Sequence, residues 1–414
     1  MLNDFFVNII TQIQNDQVLT NPLDTKIIDD FVSTKINNFV TQYNIPSITV
    51  EQVNELINNL SCSKATGVDG ISVKILKLVS PVFSHPLTKL LNMSLDKGIF
   101  PTKWKIARVI TPLHKSGLRD DKSNYRPISL LPVISKICEK HVARSVMDYF
   151  TNNGLLYERQ SAFRKGHSTE TALINLTDQI LLNMDKDEVT LMAFVDFKKA
   201  FDLIDHQVLL SKLHLYRVAD SAIKWFTSYL TGRSQFVTID GQQSSRLPVN
   251  HGVPQGSVLG PILFLLYVND IPLHLSHSSV DIFPDDTTLS ASTHWNDIPS
   301  MVHDINCDLA ALNQWSIQNK MSINDEKTKF MLISGKRLEK KILEKGNMDI
   351  AVKVDDTQIT EVNCQKLLGV TIDNRLNYEE HIDYVGNYRN SLVFSNTLVR
   401  TSRNSKGSCT LIVL

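Results

Sequence analysis

The hydrophobic positions along the chain fall into stretches of two different periods. Val53, Leu56, Ile57 and Leu60 recur at i, i+3, i+4 and i+7, one apolar stripe on a helix that Thr49 can cap with its side-chain oxygen. Val302, Ile305, Leu309 and Leu312 repeat that stripe on a later helix. SVLGPILFLLYVNDI is apolar all round, which predicts a helix enclosed by other elements, with Ser257 as its cap. TLMAFVDF is a continuous apolar run of strand length ending in an acid, the pattern of a strand covered on both faces that delivers Asp196 to its end. QFVTIDG with RLPVNHG reads as a hairpin pair, and SVDIFPDDTTLSAS as a hairpin with acids at its turn; FMLIS and LLGVTID supply two later strands. RVITPLHKSG reads as a strand and turn, and SNYRPISLLPVISKICEKHVARSVMDYF as a loop feeding a long amphipathic helix. Strands and helices interleave without a regular βαβ repeat, so the expected class is α+β, an antiparallel sheet backed by helices. Residues 1–48, rich in Asn, Asp and Thr, read as an arm or linker rather than a folded unit.

Composition narrows the class. With 414 residues and 42% hydrophobic content the chain can bury a large core divided into two or three units. Its central apolar stretch, residues 261–268, is far shorter than the roughly 18 residues of a membrane span, and the first residues carry no positive charge ahead of their apolar positions. The expected location is cytoplasmic or nuclear, with no membrane partner. Five cysteines (Cys62, Cys138, Cys307, Cys364, Cys409), odd in number and never spaced as CxxC, read as reduced and structural. A formal net charge of zero conceals an asymmetry: residues 96–144 hold eleven Lys/Arg against four acids, and residues 178–206 hold seven acids against three Lys/Arg. The first segment suits phosphates and the second a divalent cation.

The chemistry centres on three acids. Asp196 closes a buried strand, and Asp285 and Asp286 sit at a hairpin turn 89 positions later. Magnesium prefers hard oxygen ligands, and close carboxylates repel unless cations fill the space between them. His167 and His381 have no second ligand at a ligating spacing, and Trp104 and Trp315 lie in helical apolar contexts, so all four read as structural.

FVDFKKAFDLIDH, HGVPQGSVLGPILFLLYVNDI and FPDDTTL, in this order and spacing, resemble the three core palm motifs of reverse transcriptases from non-LTR (LINE-type) retrotransposons. SKATGVDGIS, PTKWKIARVITPLHKSG, SNYRPISLLPVISKICEK, QSAFRKGHSTETAL, NKMSINDEKTKF and LLGVTIDNRLNYEEHI resemble further segments of that family, so the resemblance runs over roughly residues 61–381. It implies the fingers and palm of a right-hand polymerase: an RNA-directed DNA polymerase that extends a DNA primer on an RNA template from dNTPs with two Mg2+ ions, or Mn2+. It further implies a helical N-terminal extension of the fingers over residues 49–95 and a reverse transcriptase domain over 96–373, with fingers at about 96–185 and palm at about 186–335. Residues 374–414 become a truncated or frameshifted tail with an incomplete thumb.

Roles transfer position by position. Asp196 and Asp285 match the family's metal-binding aspartates, Asp286 the neighbouring acid, and the backbone carbonyl of Phe197 a further metal contact. Phe201 matches the aromatic gate that crowds the sugar 2′ position. Gln255 and Gly256 match the element along the incoming nucleotide, where glycine permits close backbone approach. Arg126 and Lys115 match basic finger positions near the triphosphate, and Lys327 a lysine near the leaving pyrophosphate, where a general acid assists. Pro284 departs from the small residue usual there, which predicts a lost ladder hydrogen bond and a displaced Asp285. The endonuclease domain that usually precedes the polymerase in the family is not expected here, so nicks for integration would come from another source; Pro284 and the truncated thumb leave as the competing reading a catalytically dead retrotransposon remnant with residual nucleic-acid binding.

Overall fold

The computed structural model describes residues 2–15, 23–36, 42–63, 65–110, 113–114, 118, 120–283, 286–345 and 350–386. The chain opens with four helices, α1 (Leu2–Asn15), α2 (Thr25–Lys35), α3 (Val50–Asn58) and α4 (Val73–Lys97). The first two correct the expectation of an arm. The Asp24 carboxylate accepts from the Lys26 and Ile27 N–H groups to start α2, and Ile28 and Val32, one turn apart, are wholly buried in the main core. On α1, Phe6 packs with Val109 and Val237. Such short stripes vanish in an average over a polar segment, yet two residues at i and i+4 are enough to seat a helix on a core. Thr49 caps α3 as expected, in a reciprocal capping box with Gln52.

The chain then runs through β1 (Ile106–Ile110), β2 (Leu113–His114), β3 (Tyr125–Arg126), β4 (Ser129–Leu130), α5 (Val133–Asn152) and α6 (Thr169–Asp185) to β5 (Glu188–Asp196). After it come α7 (Ala200–Leu203), α8 (His206–Leu215), α9 (Asp220–Leu230), β6 (Arg233–Ile239), β7 (Gln242–Gln243), β8 (Leu247–Val249) and α10 (Gly260–Val268). The last third holds β9 (Ser279–Phe283), β10 (Asp286–His294), α11 (Ile298–Gln318), β11 (Lys329–Ile333), α12 (Gly335–Lys345), β12 (Lys353–Val354), β13 (Thr357–Gln358), β14 (Thr360–Glu361), β15 (Cys364–Leu367) and β16 (Val370–Asp373).

Two five-stranded sheets organise these elements. In one, the order is β4-β1-β6-β7 with β8 also on β6, and β1 runs parallel to β6 within an otherwise antiparallel arrangement. In the other, β14-β11-β5-β10-β9, the four strands β11, β5, β10 and β9 are mutually antiparallel. β5 lies in the middle and is covered on both sides. Val189, Leu191, Ala193 and Val195 join the main core, whereas Met192 and Phe194 face a second cluster with Leu176 and Ile180 of α6, Met331 and Ile333 of β11, and Leu367 and Ile372 of β15 and β16. Burial on both faces explains why the sequence of β5 is apolar without alternation. The fold is therefore α+β, with sheets rich in antiparallel pairs.

Helix α10 is buried on every side, as its composition demands. The cap differs from the expectation: the helix starts at Gly260 with Leu259 in the cap position, and Ser257 Oγ accepts from the Gly260 N–H at 3.0 Å. Past its far end, Asp270 forms a fully buried ion pair with Lys212 of α8 at 2.6 Å. Lys212 also donates to the Tyr267 carbonyl at 2.7 Å, and Trp315 of α11 donates its indole N–H to Asp270 at 3.1 Å. Burial pulls the Lys212 ammonium down, with Asp270 opposing it; burial also works to raise Asp270, but Lys212 and its hydrogen bonds hold that carboxyl below the usual range. The pair ties α8, α10 and α11 together behind the β5 sheet. Asp270→Ala strands a buried ammonium and should lower unfolding stability by about 3–5 kcal/mol in urea denaturation. Lys212→Met combined with Asp270→Asn, which keeps an acceptor for Trp315, should recover part of that loss.

Candidate active site

Pairing between β5 and β10 sets Asp286 directly opposite Asp196 at the end of the ladder. Directly opposed residues on antiparallel strands point to the same side with Cβ atoms about 5 Å apart, and like charges in that relation repel. The side they share is the one carrying Phe194, and beyond Phe194 its cover stops. Asp196 is partly exposed and Asp286 exposed. Phe283 pairs with Asp286 across the β9–β10 hairpin, leaving two chain positions between them. Those positions, Pro284 and Asp285, lie outside the described residues, as does Lys115.

The segment after α11 fixes Asp196 from the other side. The Asn324 N–H donates to the Asp196 carbonyl at 2.7 Å, and the Asn324 amide donates to the Asp196 carboxylate at 3.1 Å. Thr328 Oγ accepts from the Asp196 N–H at 3.3 Å. Phe197 pairs with Ile323 in an isolated bridge, and its buried ring meets Trp315 edge-on. The resulting open cleft is lined by Asp196, Asp286, Thr288, Lys327, Lys329 and Lys366, among others. Lys327 lines the same cleft as the two carboxylates. Asn324, Lys329 and Lys366 escaped the sequence reading, although Asn324 and Lys329 stand in the same NDEKTKF segment as Lys327.

A second group lies around α7. Phe201 stacks on Phe264 of α10 with ring centroids 4.5 Å apart, and its carbonyl accepts from the Val253 N–H at 3.1 Å. Gln255 donates its side-chain amide to Asp202 at 2.8 Å, and its carbonyl accepts from the Ser129 N–H at 2.7 Å. Gly256 has φ +103°, and a Cβ there would stand 2.6 Å from the Ser129 carbonyl oxygen. Glycine is thus required at 256 by contact with β4, a reason independent of any ligand. Arg126 is exposed on β3, which pairs with β2. His167 is exposed, and His381 accepts from the Thr371 N–H. Trp104 and Trp315 are core residues. Among the described residues no group of three or more His, Cys, Asp or Glu side chains converges as a metal centre, and no helix is long and apolar enough to cross a membrane. The opposed Asp196 and Asp286 carboxylates are hard oxygen donors, with the character a magnesium ion accepts.

Residues 113–385 match the model of the reverse transcriptase (RNA-dependent DNA polymerase) family. The chain is 30% identical over 352 residues to an RNA-directed DNA polymerase from the mobile element jockey of Drosophila melanogaster, covering 82% of this chain and 36% of that protein. It is 29% identical over 350 residues to a probable RNA-directed DNA polymerase from transposon BS, and 30% identical over 353 residues to one from transposon X-element, both of the same fly. These matches cover 82% and 83% of the chain and 37% of each relative, so the chain spans a little over a third of the length of the relatives it matches. With its family model matched over well more than half its length and its relatives drawn from non-LTR retrotransposons, the chain belongs to the reverse transcriptase family of those elements.

Proposed function

We propose that this chain extends a DNA primer on an RNA template from deoxynucleotides, and that the β5–β10 carboxylates are its catalytic centre. The observation that carries the reading is the direct opposition of Asp196 and Asp286 at the open end of a doubly covered strand. An arrangement that repels itself in isolation is stabilised by cations. Asp196, Asp286, the adjacent Asp285 and the Phe197 carbonyl would hold them. Two magnesium ions, or manganese, supply activation of the primer 3′-hydroxyl and stabilisation of the leaving pyrophosphate.

The remaining roles belong to the chain's own groups. Asn324 holds the Asp196 carboxylate in one orientation. Lys327, in the same cleft, supplies positive charge and a proton where the pyrophosphate departs. Phe201, stacked on Phe264, stands where it would crowd a 2′-hydroxyl. Gln255 and Gly256 run along the nucleotide, and Arg126 with Lys115 grips its triphosphate. In this reading residues 49–95 extend the fingers, about 96–185 form the fingers and about 186–335 the palm.

Extension of oligo-dT on poly-rA should require magnesium or manganese. Asp196→Ala should lower it at least about 100-fold, because charge stabilisation at such a centre is worth several kcal/mol; undiminished incorporation would remove Asp196 from the site. Phe201→Ala should raise ribonucleotide over deoxynucleotide incorporation about 10–100-fold, and unchanged selectivity would return Phe201 to the core. If Pro284 displaces Asp285, Pro284→Ala should extend primers faster than the natural chain. Equal rates, both well above an Asp285→Ala control, would show that the hairpin tolerates proline.

A further inference from the structure

The longest family segment before β5, SNYRPISLLPVISKICEK, contains a carboxylate that the proposed mechanism does not use. Glu139 lies on α5 with no exposed surface. Its Oε2 accepts from two consecutive backbone N–H groups, Val258 at 2.8 Å and Leu259 at 3.2 Å, and from the Tyr229 hydroxyl at 3.4 Å. Its Oε1 lies 3.3 Å from Ser135 Oγ, whose hydroxyl also reaches the Pro132 carbonyl at 2.8 Å. Val258 and Leu259 are the last two of the three residues between the Gln255–Gly256 pair and the start of α10, where backbone N–H groups gather and Leu259 offers no side-chain cap.

Ten residues earlier, the same segment grips the other end of that loop: Ser129 donates to the Gln255 carbonyl, and its own carbonyl closes on Gly256. Buried Arg233, stacked on Tyr229, supplies the compensating positive charge. A carboxylate driven this deep works against its own desolvation, and burial pushes Glu139 above the usual carboxylate range despite Arg233 and the two N–H groups. An uncharged acceptor would satisfy the same N–H groups at lower desolvation cost. What the side chain supplies is an acceptor for two adjacent buried donors that would otherwise lack one.

We propose that Glu139 is the positioning residue of loop 254–259: with Ser129 it clamps the loop at both ends and so sets where Gln255 and Gly256 meet the incoming nucleotide. This rests on the nucleotide role of Gln255 and Gly256 given above, but the clamp itself is open to a test that needs no activity. Glu139→Gln and Glu139→Met both remove the charge and leave Arg233 uncompensated to the same degree. Only Gln keeps an acceptor for Val258 and Leu259, while its amide can donate to Ser135, whose hydroxyl hydrogen already goes to the Pro132 carbonyl. The difference between the two variants therefore isolates the hydrogen bonds.

Hydrogen–deuterium exchange on the full chain should show the Val258 and Leu259 amides exchanging about 10–100-fold faster in Glu139→Met than in the natural protein, with β5 and β10 unchanged. Glu139→Gln should restore most of that protection. In primer extension, Glu139→Met should raise the dNTP KM at least about tenfold while primer–template affinity stays level, and Glu139→Gln should lie near the natural chain. Natural-like exchange in Glu139→Met overturns the clamp. So does loss of protection spread equally over β5 and the loop, including outright unfolding, or identical behaviour of the two variants. A natural chain that shows the expected exchange pattern in its variants but extends no primer overturns the polymerase reading and leaves the clamp standing.

Discussion

Everything at the centre of this protein depends on one strand being covered on both faces along its length and open on one face at its end. From Val189 to Val195, β5 is flanked by two separate hydrophobic clusters, so its register and direction are fixed by burial rather than by its turns. A one-residue slip would exchange the residues of the two clusters and withdraw Asp196 from its place opposite Asp286. The acid can be held against a like charge because the apolar residues behind it are not free to move.

Around that strand, polar side chains act as fasteners where helices and loops end. Lys212, Asp270 and Trp315 join three helices behind the sheet. Asn269, one residue away, donates to the Leu155 carbonyl and the Tyr216 hydroxyl and accepts from the Tyr157 N–H. Gln160 donates to the Leu265 carbonyl, and the Ser161 N–H pairs with Ile282, which covers part of the β9 edge. Asn269 and Gln160 thereby pair backbone groups of Leu155, Tyr157 and Leu265 in the interior.

Much of the fold was legible in the sequence because its signals are local. The run TLMAFVDF, the stripe over α11, the Thr49 cap and the all-apolar α10 each state their environment in their own residues. The failures are non-local. Helices α1 and α2 were hidden in a polar segment, since the surfaces receiving Phe6, Ile28 and Val32 come from far along the chain. Ser257 was read as the whole cap of α10 because the larger share comes from Glu139, about 120 positions away. Within the site, Asp196 and Asp286 were visible as strand-end acids, and Lys327 by its segment. Asn324 and Lys366 were not, because an amide or a lysine says nothing of its partner until the chain has closed.

The charge layout of the cleft bears on what it receives. Lys327, Lys329 and Lys366 line the same space as Asp196 and Asp286. Had the lysines been there to neutralise the acids, direct ion pairs would be expected; no ion pair between these lysines and either acid occurs among the described residues. Instead the Asp196 carboxylate is held by the neutral amide of Asn324. Acids and lysines thus line one cleft, which presents both signs of charge to whatever enters it. Both signs at short range suit a ligand that is itself a phosphate chain carrying divalent cations, and a site for either charge alone would have no use for the other.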